Sequence, residues 1–123
     1  MLDLTSRELA EGLGCYQREA FFATHEHWEL VWLETEEPEK SFVQALIQVA
    51  AAFHHWQRGN QAGTVSLLRR ALRRLEMSPP MFAGIEVGIL RVDVVAWLQG
   101  IQGEGNFLPR EFPRIWPVNP VSE

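Results

Sequence analysis

Apolar residues recur along this chain at three- and four-residue intervals almost from end to end, and strand-like alternation never persists. That period predicts helices over roughly 5–14, 18–34, 39–58, 61–76 and 81–99, followed by a non-helical extension over 100–123. In the first, Leu9 and Leu13 share a face, Thr5 or Ser6 stands where a cap belongs, and Gly12 and Gly14 weaken the end. Pro38 suits the first turn of the third helix, where its missing N–H costs nothing. That helix is the most apolar: Phe42, Leu46, Val49, Phe53 and Trp56 form one stripe, and Val43, Ile47 and Ala50 fill its flank. Hydrophobicity over so much of the circumference predicts a central helix with neighbours on several sides. Arg58-Gly59-Asn60 closes it, and the fourth helix turns Val65, Leu68, Leu72 and Leu75 inward. Ser78-Pro79-Pro80 precedes a fifth helix in which Gly84 and Gly88, four apart, would admit another helix at close range. Pro109, Pro113, Pro117 and Pro120 forbid regular structure in the tail, while Phe107, Phe112, Ile115 and Trp116 predict that it straps across the domain. The expected fold is all-α: a single-domain antiparallel bundle of about five helices with a Pro-rich, non-helical C-terminal strap.

Two polar stripes interrupt this pattern. Helical spacing puts His25, Glu29 and Trp32 on one face of the second helix. On the third, Gln44, Gln48 and His55 fall within a narrow sector, with the small Ala51 between them and Arg58 at its edge. Helices joined by a short turn pack side by side, so the two stripes are expected to meet. A buried polar group without a partner costs about 1–3 kcal/mol, so these residues need one another or something else. Three arrangements satisfy them. One is a buried hydrogen-bond network in which Glu29 orients His25, and Gln48 and His55 complete the set. The second is a metal site with His25, Glu29 and His55 as ligands to a divalent ion such as zinc. The third is a small-molecule pocket walled by Phe22, Trp28 and Trp32, with the polar groups supplying orientation. His54 faces a different sector, alongside Val43 and Ile47, while Glu26 and His27 point away from His25, so these last two are expected at the periphery.

Composition narrows the classes. The chain has 123 residues, enough for one domain with a real core, and its five tryptophans and seven phenylalanines supply bulky side chains for it. A net charge of −5 argues against a nucleic-acid binder, which needs a basic surface. The longest apolar run, Ala45 to Phe53, is too short to span a bilayer, and the N-terminal residues lack the pattern of a signal peptide. With the lone Cys15, read as a small core residue, this fits a soluble cytoplasmic protein. Arg69, Arg70, Arg73 and Arg74 form a basic band, read as a solvated face able to pair with the acidic run Glu34 to Glu39.

The chemical motifs are incomplete. His25-Glu26-x-x-Glu29 begins like the zinc-protease pattern but carries glutamate where the second histidine belongs, and Phe22 occupies the position of the glutamate in a di-iron Glu-x-x-His pair. Neither a phosphate-binding glycine loop nor a G-x-S-x-G elbow is present. Three segments nevertheless go together: His25-Glu26-x-x-Glu29-x-x-Trp32, then Leu46-Ile47-Gln48-x-Ala50-x-Ala52-x-His54-His55-x-x-Arg58-Gly59-Asn60, and Leu67-Leu68 with Leu75. In these, from about Phe21 to Leu98, the chain resembles domain of unknown function family 309, small all-helical bacterial and archaeal proteins. Some proteins of that kind are labelled predicted metal-dependent hydrolases. The resemblance implies the fold and carries no established chemistry. The expectation is a binding or assembly module, with surplus aromatic surface such as Trp97 or Trp116 available for a homo-oligomer. The alternative is a metal-dependent hydrolase in which His25, Glu29 and His55 hold the ion and Glu26 serves as general base.

Overall fold

The structure, a computed structural model, describes residues 7–82, 84–103 and 107–115. Five helices dominate: α1 (Arg7–Gln17), α2 (Phe21–Leu33), α3 (Glu39–Gln57), α4 (Gln61–Glu76) and α5 (Val87–Gln102). Each helix packs on the next in sequence, which places α3 between α2 and α4. The expected all-α bundle is the observed one. The Thr5 and Ser6 cap positions lie outside the described residues.

The core follows the α3 stripe. Phe42, Val43, Leu46, Val49 and Phe53 are fully buried, as are Trp28 and Phe21 from α2, Leu68 and Leu75 from α4, and Leu90 and Val94 from α5. Each such side chain contributes about 2 kcal/mol by leaving water. No helix among the described residues is long and apolar enough to cross a membrane.

Gly12 does not loosen the end of α1; it sits inside the helix, against the indole of Trp28. A Cβ there would overlap the ring, so the glycine lets α1 and α2 close on each other while Trp28 Nε1 donates to Leu9 O at 3.2 Å. The helix instead ends at Gln17 and is closed by Glu19, whose φ of 64° is left-handed, with Ala20 N donating to Cys15 O at 2.8 Å. Cys15 is buried, as its reading as a small core residue required.

The fifth helix starts later than its periodicity predicts. Residues Met81–Phe82 (β1) and Ile85–Glu86 (β2) pair antiparallel, with Met81 opposite Glu86 and Phe82 opposite Ile85. Gly84, at φ 79°, supplies the left-handed turn residue, so it stands on no helix face. Gly88 N donates to Pro80 O at 3.0 Å, and the space a Gly88 Cβ would enter borders Pro80. The close neighbour of Gly88 is therefore this loop, not another helix.

Residues 107–115 strap across the bundle as expected. Phe112 packs on Phe21, Phe53 and Trp97 at ring distances of 4.9, 4.9 and 5.3 Å, and Ile115 is fully buried. Tyr16 Oη donates to Pro113 O at 2.6 Å, and Trp97 Nε1 donates to Glu111 O at 2.9 Å. Trp97 is thus buried under the strap and offers no aromatic surface to a second copy. Trp116, the other residue assigned that role, lies outside the described residues.

Candidate functional site: a polar cleft between three helices

Two faces of α2 have different fates. Phe21, Thr24 and Trp28 are spaced to face inward and are buried. Phe22, His25, Glu29 and Trp32 occupy the neighbouring face. His25 Nε2 stands 3.4 Å from Glu29 Oε2, as the four-residue spacing dictates. These two, with Trp32, line a cleft of about 590 Å3 that runs along α3 and is bounded by α4. From α3 it receives Gln44, Ile47, Gln48 and Ala51, and from α4 Leu67, Arg70 and Arg74. Lys40 enters at the start of α3 with its Nζ held 4.2 Å from the Trp32 ring centroid.

The cleft is open, so the polar stripes do not form a sealed network. The Glu29 side chain is 56% exposed, whereas Gln48 retains only 8% of its surface. Two atoms are left over: His25 Nδ1 and Gln48 Oε1 are shielded from water and have no hydrogen-bond partner. Glu37, also at the cleft, accepts from Ser41 Oγ and Ser41 N at 3.0 Å each. Those hydrogen bonds, with smaller help from Arg74 and Lys40, hold its carboxyl below the usual range.

Other predicted site residues are placed elsewhere. Trp28 is a core residue stacked on Tyr16 at 6.1 Å, not a pocket wall. Phe22 is 53% exposed and lies against the rings of His25 and His54, at 6.2 and 5.3 Å, outside the cleft lining. Glu26 is exposed and also outside it. His55 turns to the α3–α4 corner, where Asn60 Nδ2 lies 3.2 Å from its Nδ1. An amide nitrogen can only donate, so Nδ1 accepts and the ring proton sits on Nε2. Asn60 Oδ1 also caps α4 by accepting from Gly63 N at 2.9 Å. The His-x-x-Arg-Gly-Asn segment is thus a helix-corner device, and His55 is not brought to His25 and Glu29 as a third metal ligand. It is His54 that approaches the α2 face, since it continues the Ile47–Ala51 row by one turn. Burial, then the charges of Arg58, His55 and His25, lower its pKa from 6.5.

The one group of metal-ligating side chains gathered among the described residues lies between α1 and α2. Ligand atoms of Glu8, Glu11 and His27 fall within 4.8 Å of one another. His27 Nδ1 is 2.7 Å from Glu8 Oε1 and 3.8 Å from Glu11 Oε1, and the other Glu11 oxygen accepts from Arg7 Nε at 3.1 Å. Sequence reasoning set His27 aside because it points away from His25. The available signal was the Glu8-x-x-Glu11 spacing, but joining it to His27 requires the Gly12–Trp28 contact that fixes how α1 lies on α2. Arg70 and Arg74 are not simply part of a solvated band: their four-residue spacing puts both on the side of α4 that meets the cleft.

Comparison with known proteins agrees with the motifs. Residues 9–67 match the sequence model of the family described as "Domain of unknown function (DUF309)". The match takes in α1 from Leu9 and ends within α4, so it includes the cleft residues of α2 and α3 but leaves out Glu8, Arg70, Arg74, Leu75 and α5. An uncharacterized protein of Aquifex aeolicus (strain VF5) is 32% identical over 85 residues, which make up 68% of this chain and 24% of that protein. The chain therefore spans about a quarter of the length of this relative. Over residues 9–67, just under half of its length, the chain is similar to the family described as domain of unknown function DUF309.

Proposed function

We infer that the protein is a binding module and that its ligand is a small molecule taken up in the α2–α3–α4 cleft. The observation that carries this reading is the pair of buried, unpartnered atoms, His25 Nδ1 and Gln48 Oε1, on residues lining an open cleft. Native interiors rarely leave such atoms unpaired, and a ligand toward which the two side chains rotate from their shielded positions recovers the desolvation they have lost. At about 590 Å3 the cleft is within the range of small-molecule sites. Two-dimensional amide and side-chain NMR of the labelled protein against a library of small polar metabolite fragments tests it. Binding in the cleft shifts the resonances of His25, Gln44 and Gln48 together. Fragments that bind only elsewhere, or none that bind at all, would contradict the reading.

A second reading keeps metal chemistry but moves it. The donor set His25, Glu29 and His55 does not fit an ion, because His55 is committed to Asn60. Glu8, Glu11 and His27 do fit: one imidazole and two carboxylates within 4.8 Å suit zinc or a similar cation. Bound there, the ion would join α1 to α2 and supply Lewis acidity at a partly exposed position. Elemental analysis of tag-free protein after zinc exposure and desalting should find near-stoichiometric metal, lost in His27→Ala. Metal-free protein would eliminate this reading and leave the three residues as a hydrogen-bonded interhelical contact.

A further inference from the structure

We propose that the ligand of this cleft is a small organic anion carrying a hydrogen-bond donor, its oxyanion held by Arg70 and Arg74 and its donor bonded to Gln48. This rests on the reading of the cleft as a binding site and adds the chemical class.

Charge supplies the first argument. The chain as a whole is acidic, at −5, yet Lys40, Arg70 and Arg74 converge on this cleft against only two carboxylates, Glu29 and Glu37. Both carboxylates make their direct contacts elsewhere, although Glu37 still feels the charges of Arg74 and Lys40. Glu29 is beside His25, and Glu37 accepts from Ser41 through both of its oxygens. Among the described residues, none of the three cations has a carboxylate oxygen within 4.0 Å. This separates them from Arg69, which donates to Gln102 Oε1 at 2.9 Å, and from Arg114, which is paired with Asp93 at 3.1 Å. Arg70 and Arg74 stand one helical turn apart on the same face, and the planar guanidinium fork matches a carboxylate or phosphate through two parallel hydrogen bonds. Lys40, steadied over Trp32, adds a third positive group at the α2–α3 end.

Hydrogen-bond inventory supplies the second. The unpartnered atom of Gln48 is an oxygen, so it accepts and its partner must donate. A ligand made only of acceptors satisfies the arginines and leaves this buried oxygen stranded. A molecule with an oxyanion at one end and an N–H or O–H at the other satisfies both. The site should therefore discriminate between anions that differ only in that donor, since sites built around a buried polar group reject analogues lacking its partner.

Isothermal titration of the whole chain, in low-salt buffer free of phosphate, tests this with matched probes. L-Glutamate against glutarate forms the carboxylate arm, sn-glycerol 3-phosphate against n-propyl phosphate, at a pH where both are dianions, the phosphate arm, and uridine and glucose the neutral arm. The donor-bearing member of one anionic arm should bind at least tenfold more tightly than its partner and than either neutral probe, which also identifies the oxyanion. The double variant Arg70→Gln/Arg74→Gln, shown by circular dichroism to be folded, should weaken that binding by tenfold or more. Gln48→Met should erase the preference within the pair. Neutral probes binding as well as anions, indifferent to the arginine change, would overturn the anion assignment while leaving the cleft as a binding site. No binding by any probe, with the NMR screen also silent at the cleft, would overturn both.

Discussion

Single residues in this protein do work that their chemical type only partly announces. Gly12 is read from sequence as a helix weakener, yet it is the point at which α1 accepts the Trp28 indole. Gly12→Ala gains up to about 1 kcal/mol of helix propensity and forces overpacking worth roughly 1–3 kcal/mol, so the net should be a lower urea midpoint. Chemical denaturation followed by tryptophan fluorescence decides the sign. Tyr16 is a second case. Burial, and secondarily Asp93, raises its pKa well above 10.0, so the fold holds the neutral phenol. Its contribution is complete below the unfolded value near 10.0 and is lost as pH rises toward the folded value. Stability measured from pH 8 to 11 should therefore fall at the alkaline end, and Tyr16→Phe should fall less steeply there. Identical pH profiles would contradict this. The histidines show what one-dimensional spacing leaves out. His25, Glu29 and Trp32 were legible as one face because one helix fixes their relation. His54, His55 and His27 were not, because their neighbours belong to other helices and depend on how those helices are rotated.

At the scale of elements, the periodic segments were read well and their ends less well, for physical reasons that differ from case to case. The α3 stripe is apolar enough that no other element could accept it, so its central position follows directly from sequence. The start of α5 was misplaced because Met81 to Val87 carries apolar residues at helical intervals, while the left-handed Gly84 and the anchor from Gly88 to Pro80 O commit it to a hairpin. Local pattern cannot weigh those two features against each other. The α3–α4 corner is the clearest local module. Asn60 caps α4 and at the same time fixes the His55 ring, so one side chain serves both helices. Asn60→Ala should cost about 1 kcal/mol for the lost cap, with a further penalty for stranding His55 Nδ1. Asn60→Asp, which keeps the capping oxygen but cannot donate to His55, should separate the two contributions in thermal unfolding. Equal melting temperatures for the alanine variant and the wild-type protein would show that the corner is held by packing alone.

For the whole molecule, the arrangement of α2, α3 and α4 assembles the cleft on which the proposed binding function rests, from residues that no single helix contains. Each wall was visible in sequence: a histidine and a glutamate, two glutamines, a basic band. Their union was not, since Arg70 and Arg74 follow the third helix by a corner whose geometry Asn60 sets. The strap from Phe107 to Ile115 covers the Phe53–Trp97 side of the bundle, and the cleft lining includes none of it. A closed core thus coexists with an open polar face in a small domain. Such a site should be held at some cost to stability, as binding sites often are. The most direct test is the urea unfolding of Gln48→Met, a change of similar size and shape that removes the orphaned oxygen. The account predicts a higher midpoint than wild type, by a free energy of about 1 kcal/mol, because an unsatisfied buried acceptor has been removed. A lower midpoint, as expected if Gln48 is a bonded member of a structural network, would contradict the claim that this cleft is built for a ligand.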